Sequence, residues 1–122
     1  MSEPGGTADQ TGEPSPDAIL NAALAMELEW GDPRENPPDA RLKRLYPALS
    51  NSRVTEIFIL CSTVGTFGVR ATYDLIVDET RDLSSALVGE MVRAKYPWVN
   101  DENISRMYST GAYSAARDGV LR

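Results

Sequence analysis

Apolar residues recur every three or four positions over most of this chain, and proline or glycine breaks the pattern between blocks. In the first block Ile19, Ala23, Met26 and Trp30 fall on one helical stripe, which Leu20, Leu24 and Leu28 broaden. Ser15-Pro16-Asp17 reads as its start. A serine oxygen accepts from orphan amides, proline suits the first helical position, and an acid complements the positive end. Gly31 and Pro33 are the expected stop. A polar, proline-rich connector, Asp32 to Pro38, follows. Asp39 to Tyr46 then reads as a short helix anchored by Leu42, Leu45 and Tyr46 and ended by Pro47.

The most apolar block, Ser52 to Glu79, contains no proline and decides the architecture. Read as a helix capped by Ser52, it places Val54, Phe58, Cys61, Gly65, Gly68, Thr72 and Leu75 on one face. Ile57, Ile59, Leu60, Val64 and Phe67 cover most of the rest of the circumference, the pattern of a helix surrounded by protein. Arg70 and Asp74 are spaced for an i,i+4 pair. Strand signals compete. Eleven of the 24 residues from Val54 to Val77 are β-branched, and Val69 to Asp78 nearly alternates. Residues 54–64 and 69–78 would then form a β-hairpin turning at Gly65-Thr66-Phe67-Gly68. A third strand is missing, and a two-stranded ribbon alone is marginal in water. The expected fold is therefore mainly α: a bundle of four to five helices around a long apolar central helix, residues 52–79. The alternative is α+β, with the hairpin packed on helices.

Beyond Thr80, Asp82 is the expected cap of a helix to about Lys95, with Leu83, Leu87, Met91 and Ala94 as its stripe. Tyr96-Pro97-Trp98 breaks it, because proline disfavours helix in the residue before it. Asn100 or Asp101 opens a last helix to about Asp118, lined by Ile104, Tyr108, Gly111 and Ala115, and Gly119 suits its end. Gly111 and Ala115 are small at i,i+4 and predict a seam where another backbone comes close.

Charge changes the picture at one end. Residues 1–39 hold nine acids and one base, a net of −8, whereas residues 40–122 carry +2, which gives −6 overall. Residues 1–14 have no large apolar residue after Met1 and are expected to be a disordered acidic arm ahead of a single helical domain, 15–122. No internal duplication is visible. MSEPGGTADQ lacks a basic region followed by an apolar core, so no secretory signal is expected. From Ile57 to Val69 there are 13 residues without charge, fewer than the roughly 20 that cross a bilayer. No membrane association is expected, and the cytoplasm is the default compartment.

Candidate chemistry is sparse. Histidine is absent, which removes Ser-His-Asp and Cys-His nucleophile pairs. The one cysteine, Cys61, lies in an apolar run and reads as an inert core thiol. Val64-Gly-Thr-Phe-Gly68 lacks the glycine spacing and lysine of phosphate loops. Asp74, Asp78, Glu79 and Asp82 are the carboxylates near enough for a cation or for acid–base work, and a solvated helix end explains them as well. No catalytic, cofactor or metal residue is assigned. Two groups suit partner binding: the aromatics Tyr96, Trp98, Tyr108 and Tyr113, and the basic patch Arg41, Lys43 and Arg44 with Arg53 nearby. Nucleic acid is not the expected partner, because an acidic arm lies beside the patch. The sequence reading is a small acidic, non-enzymatic partner-binding protein, such as an inhibitor, immunity-type protein, adaptor or accessory subunit. Its alternatives are a self-assembling subunit that uses residues 52–79, giving a homo-oligomer, and a carboxylate-dependent enzyme.

Overall fold

The computed structural model describes residues 15–29 and 37–120. Five helices follow in order among them: α1 Pro16–Glu27, α2 Pro38–Leu45, α3 Asn51–Val77, α4 Ser85–Lys95 and α5 Asp101–Arg117. They contain no strand. The helical reading of the central segment holds and the hairpin does not. The acidic arm, Trp30, Gly31 and Pro33 lie outside the described residues.

The β-branched content of α3 is tolerated because tertiary packing outweighs weak intrinsic propensity. Of its expected face, Val54, Cys61, Gly65, Gly68 and Thr72 are buried, and Phe58 and Leu75 are half-buried. Threonine hydroxyls are satisfied within the helix, Thr72 Oγ1 donating to the Gly68 carbonyl at 3.0 Å and Thr63 Oγ1 to that of Ile59 at 3.1 Å. The expectation that protein surrounds α3 fails on one side. Thr55, Glu56, Ile59, Ser62, Thr63, Thr66, Arg70 and Asp74 are exposed. Four helices are too few to enclose a 27-residue axis. Among the described residues α3 is the one helix long and apolar enough to cross a membrane by length and composition. In this fold its apolar side is the wall on which α1, α2, α4 and α5 all pack.

The tightest contact joins α3 to α5. A methyl group built on Gly111 would lie 2.6 Å from Thr72 Cβ and 2.8 Å from the Val69 carbonyl oxygen, and one on Gly68 would overlap Met107 Sδ. The small-residue seam expected at Gly111 is thus a backbone approach. The pairs 68–107 and 72–111 advance together, so the two helices run parallel where they touch. Parallel neighbours follow from α4, which turns back between them. Along α3, Cys61 Sγ reaches the Leu20 carbonyl of α1 at 3.7 Å, and Leu28 packs over Gly65.

Helix ends correct several expected boundaries. Ser50, not Ser52, caps α3, its hydroxyl accepting from the Arg53 amide at 3.0 Å. Ser84, not Asp82, caps α4 and accepts from Leu87 N at 3.2 Å. This later start turns Val88 and Val92 into the core. Leu87 and Met91 are then half-buried and Ala94 is exposed. Starting from the first leucine set the expected stripe one position off. The α1 helix stops at Glu27, short of Gly31, with its C-cap at Leu28. The expected caps Ser15 and Asn100 are both in place.

Two C-termini close with the same bond pattern. Gly119 has φ 80°, and the amides of Gly119 and Val120 reach the Ala116 and Ala115 carbonyls at 3.1 and 3.0 Å. At the end of α3 the residue in the left-handed position is Glu79, with φ 56°, and Glu79 N and Thr80 N reach Ile76 O and Leu75 O at 2.9 and 3.0 Å. A side chain there is strained, since the left-handed region crowds Cβ.

A local repeat does exist. The α2–α3 and α4–α5 joints are Tyr46-Pro47-Ala48-Leu49-Ser50 and Tyr96-Pro97-Trp98-Val99-Asn100. The two tyrosines share φ −132°, with ψ 74° and 75°. In each joint the apolar fourth residue returns its amide to the tyrosine carbonyl, at 3.1 and 3.2 Å, and the fifth residue caps the next helix. The second joint is also clamped to α1. Asn21 Nδ2 donates to the Trp98 carbonyl at 2.8 Å and Asn100 N donates to Asn21 Oδ1 at 2.9 Å. Asn103, fully buried, donates through Nδ2 to the Asn21 carbonyl at 3.0 Å and accepts from Arg106 Nη1 at 2.9 Å.

Three stability predictions follow from this packing. Gly111→Ala lowers stability in a denaturant titration, because overpacking costs about 1–3 kcal/mol against a helix-propensity gain of about 1 kcal/mol. Gly89→Ala, whose new methyl meets Ile104 Cγ2 at an ordinary 3.4 Å, raises it by about 0.5–1 kcal/mol. Glu79→Gly relieves the left-handed position and raises thermal stability, by about 1 kcal/mol after the added flexibility of the unfolded chain.

Candidate functional site

The residues marked by the sequence do not gather on one surface. On α2, Arg41 forms a two-pronged ion pair with Glu29 at 2.6 and 2.8 Å, pinning α2 to the end of α1. This pair holds the Glu29 carboxyl below its ordinary range. Lys43 Nζ donates to Asn51 Oδ1 at 2.9 Å, at the start of α3. Arg44 is exposed, and Arg53 pairs with Glu56 at 3.3 Å. The patch thus works partly as a set of struts.

Aromatics are spread similarly. Tyr96 meets Phe67 edge to face with centroids 5.9 Å apart, and Lys95 Nζ lies 5.0 Å from the Phe67 centroid. Trp98 and Tyr108 are half-buried against the core. Tyr113 is 51% exposed, with the Arg117 guanidinium 6.0 Å from its ring centroid. Tyr108 and Tyr113 are five positions apart on α5, which separates them by about 140° around its axis. Tyr96 and Trp98 lie together at the α4–α5 joint.

The carboxylates expected near the end of α3 also have local partners. Asp74 Oδ1 accepts from Arg70 Nε at 3.2 Å, the i,i+4 pair read from the spacing. Asp78 is the C-cap of α3, and Glu79 occupies the strained turn. Among the described residues no three acids, cysteines or histidines come together as metal ligands do.

What the structure does assemble is an open groove of about 620 Å³ across α1, α3 and α5. Its floor is the outer side of α3: Ser62, Gly65, Thr66 and Val69. One wall is the end of α1, Glu27 and Leu28; the other is the end of α5, Ser114, Arg117 and Asp118. Tyr73 closes one end, its hydroxyl donating to Asp118 Oδ2 at 2.7 Å. That bond, with burial and the Asp118 charge behind it, raises the Tyr73 pKa. Arg117 Nε lies 3.5 Å from Asp118 Oδ1. Both arginines of the groove therefore face a carboxylate already. Glu27 has no ion pair with any described residue, and burial raises its pKa.

Sequence reading missed the groove because its floor is made of small residues at helical spacing, Ser62, Gly65, Thr66 and Val69. In the sequence Gly65 reads equally well as a packing or turn residue. The structure keeps the packing and not the turn: Leu28 lies 3.3 Å from where a Gly65 methyl would stand, and Gly65 also lines the groove.

Beside the groove, the uncovered face of α3 exposes Ile59, Ser62, Thr63 and Thr66, and no charge occurs between Glu56 and Arg70. Ile59 is 64% exposed, the most open large apolar residue among those described.

Activated nucleophiles are lacking among these groups. Burial, with the Glu27 charge, pushes the Cys61 thiol up to about 12, so it stays protonated and buried near neutral pH. The Tyr73 hydroxyl is engaged as a donor and its pKa moves away from neutrality. No family model, curated protein or solved structure matches this chain.

Proposed function

We propose that this chain is a small acidic, non-enzymatic protein that acts in the cytoplasm by docking onto another protein, as an inhibitor, immunity-type protein, adaptor or accessory subunit does. The observation that carries the reading is the charge-free exposed strip of α3, Ile59, Ser62, Thr63 and Thr66, which leads into the groove. Interface centres are distinguished from ordinary surface by depletion of charge around an apolar anchor, and Ile59 is such an anchor. The strip sits on the most packed helix of the fold, so it is presented rigidly and little ordering cost attaches to binding. The acidic first third of the chain favours a partner with a basic surface.

Self-assembly is the second reading, favoured by the exposed Ile59 and Val77 on the same helix. A photo-reactive phenylalanine at Ile59, with the same group at exposed Ala94 as control, separates the two in extract of the native host. Docking predicts one adduct with a different protein at Ile59 and none at Ala94. Unlabelled wild-type chain competes that adduct away, and Ile59→Lys does not. An adduct at twice the chain mass, with a dimer in sedimentation, replaces docking by self-assembly. No Ile59-specific adduct overturns both.

A further inference from the structure

The groove between α1, α3 and α5 has a charge arrangement that the docking strip alone does not explain. Its two arginines are each matched, Arg70 to Asp74 at 3.2 Å and Arg117 to Asp118 at 3.5 Å. Asp118 also accepts the Tyr73 hydroxyl. Glu27 is the carboxylate left over, on the opposite wall. We propose that this groove receives one basic side chain, a lysine or arginine presented by the protein partner, with Glu27 as its counter-ion. The inference rests on the partner-binding reading and names the chemistry that the partner brings to the groove.

Three features fit that occupant. Leu28, Gly65 and Val69 offer apolar surface for an aliphatic stem, the part of lysine and arginine that packs on hydrophobic groups while the charge finds a polar partner. Ser62, Thr66 and Ser114 place hydroxyl oxygens along the lining, and these accept from an ammonium or guanidinium group that has donors to spare. Glu27 is a partly desolvated carboxylate, and a cation brought beside it restores what burial removed. An anionic occupant fits worse. It would have to draw Arg70 or Arg117 off a carboxylate that each already faces, and it would sit across from Glu27. A divalent cation fits worse as well, because the described residues hold no set of three acidic ligands. The net −8 of residues 1–39 also speeds encounter with a basic surface.

The test uses the full chain labelled with ¹⁵N and two peptides, acetyl-Ser-Leu-Lys-Leu-Ser-amide and its variant with norleucine in place of lysine. The lysine peptide is expected to shift the amides of Gly65, Thr66 and Ser114, and to bind about tenfold more tightly than the norleucine peptide, as a charge-assisted hydrogen bond requires. Glu27→Gln, which removes a charge that burial disfavours, should not lower the melting temperature and should remove that preference. Ser62→Trp fills the groove and should abolish binding while Glu27 is intact. Equal binding of the two peptides, undiminished preference in Glu27→Gln, or shifts outside the groove each overturn the proposal. If Ile59 cross-links to a partner while Glu27→Gln keeps the lysine preference, docking stands and the groove assignment falls. If the lysine preference depends on Glu27 but Ile59 captures nothing, the groove stands as a cation site and docking through the strip falls.

Discussion

The backbone contact between α3 and α5 is the constraint on which the rest depends. Helices with side chains between them keep axes 8–10 Å apart. Gly68 and Gly111 remove the intervening carbons, so Met107 lies over one glycine and Thr72 meets the other. Once α5 is seated there, its first turn carries Asn103 to Asn21 and fixes α1. Its last turn carries Asp118 to the Tyr73 hydroxyl and sets one wall of the groove. A wider α3–α5 spacing would loosen both ends together, because α5 is one stiff element between them.

The same geometry explains why α3 can be rich in β-branched residues and still be a helix. A hairpin would have left two ribbon edges with no partner strand and would have needed both faces covered. As a helix, the segment satisfies its backbone internally and gives four neighbours a common surface. Its glycines, which cost helix stability in isolation, are placed where packing returns more than propensity loses. The uncovered strip is a consequence of number: four helices pack on one side of a long axis, and between Glu56 and Arg70 the remaining side carries threonine and serine, with Ile59 as the exception.

Much of this was legible in the sequence, and the misses have physical causes. The buried stripe of α3, the seam at Gly111, the caps Ser15 and Asn100 and the glycine end at Gly119 follow from local rules that tertiary contacts did not override. The inward face of α4 was misread because Leu83 and Leu87 are as apolar as Val88 and Val92, and the cap alone decides the phase. The repeat of Tyr-Pro joints escaped notice because the flanking helices differ while two residues and a turn geometry recur. The groove was hidden for a different reason. Its walls come from residues about ninety positions apart, and no local pattern reports that Glu27 and Ser114 line one groove.

The asparagine clamp ties the groove to the stability of the fold. Glu27 belongs to α1, and α1 is a 12-residue helix that would be marginal alone. What places its C-terminal turn beside α3 is Leu24 and Leu28 packing against Gly65 at one end, and Asn21 bound to Trp98, Asn100 and Asn103 at the other. A partly buried polar network of this kind fixes orientation more sharply than apolar contact, since a helix that slides along an oily surface loses little but one that breaks directional hydrogen bonds leaves the buried Asn103 amide unsatisfied. Arg41 adds a strut from α2 to Glu29, two residues past Glu27. The carboxylate that faces the groove is therefore held by residues that do not line it, while the opposite wall is held by the α3–α5 seam. Two independent constraints, one polar and one steric, fix the width of the groove.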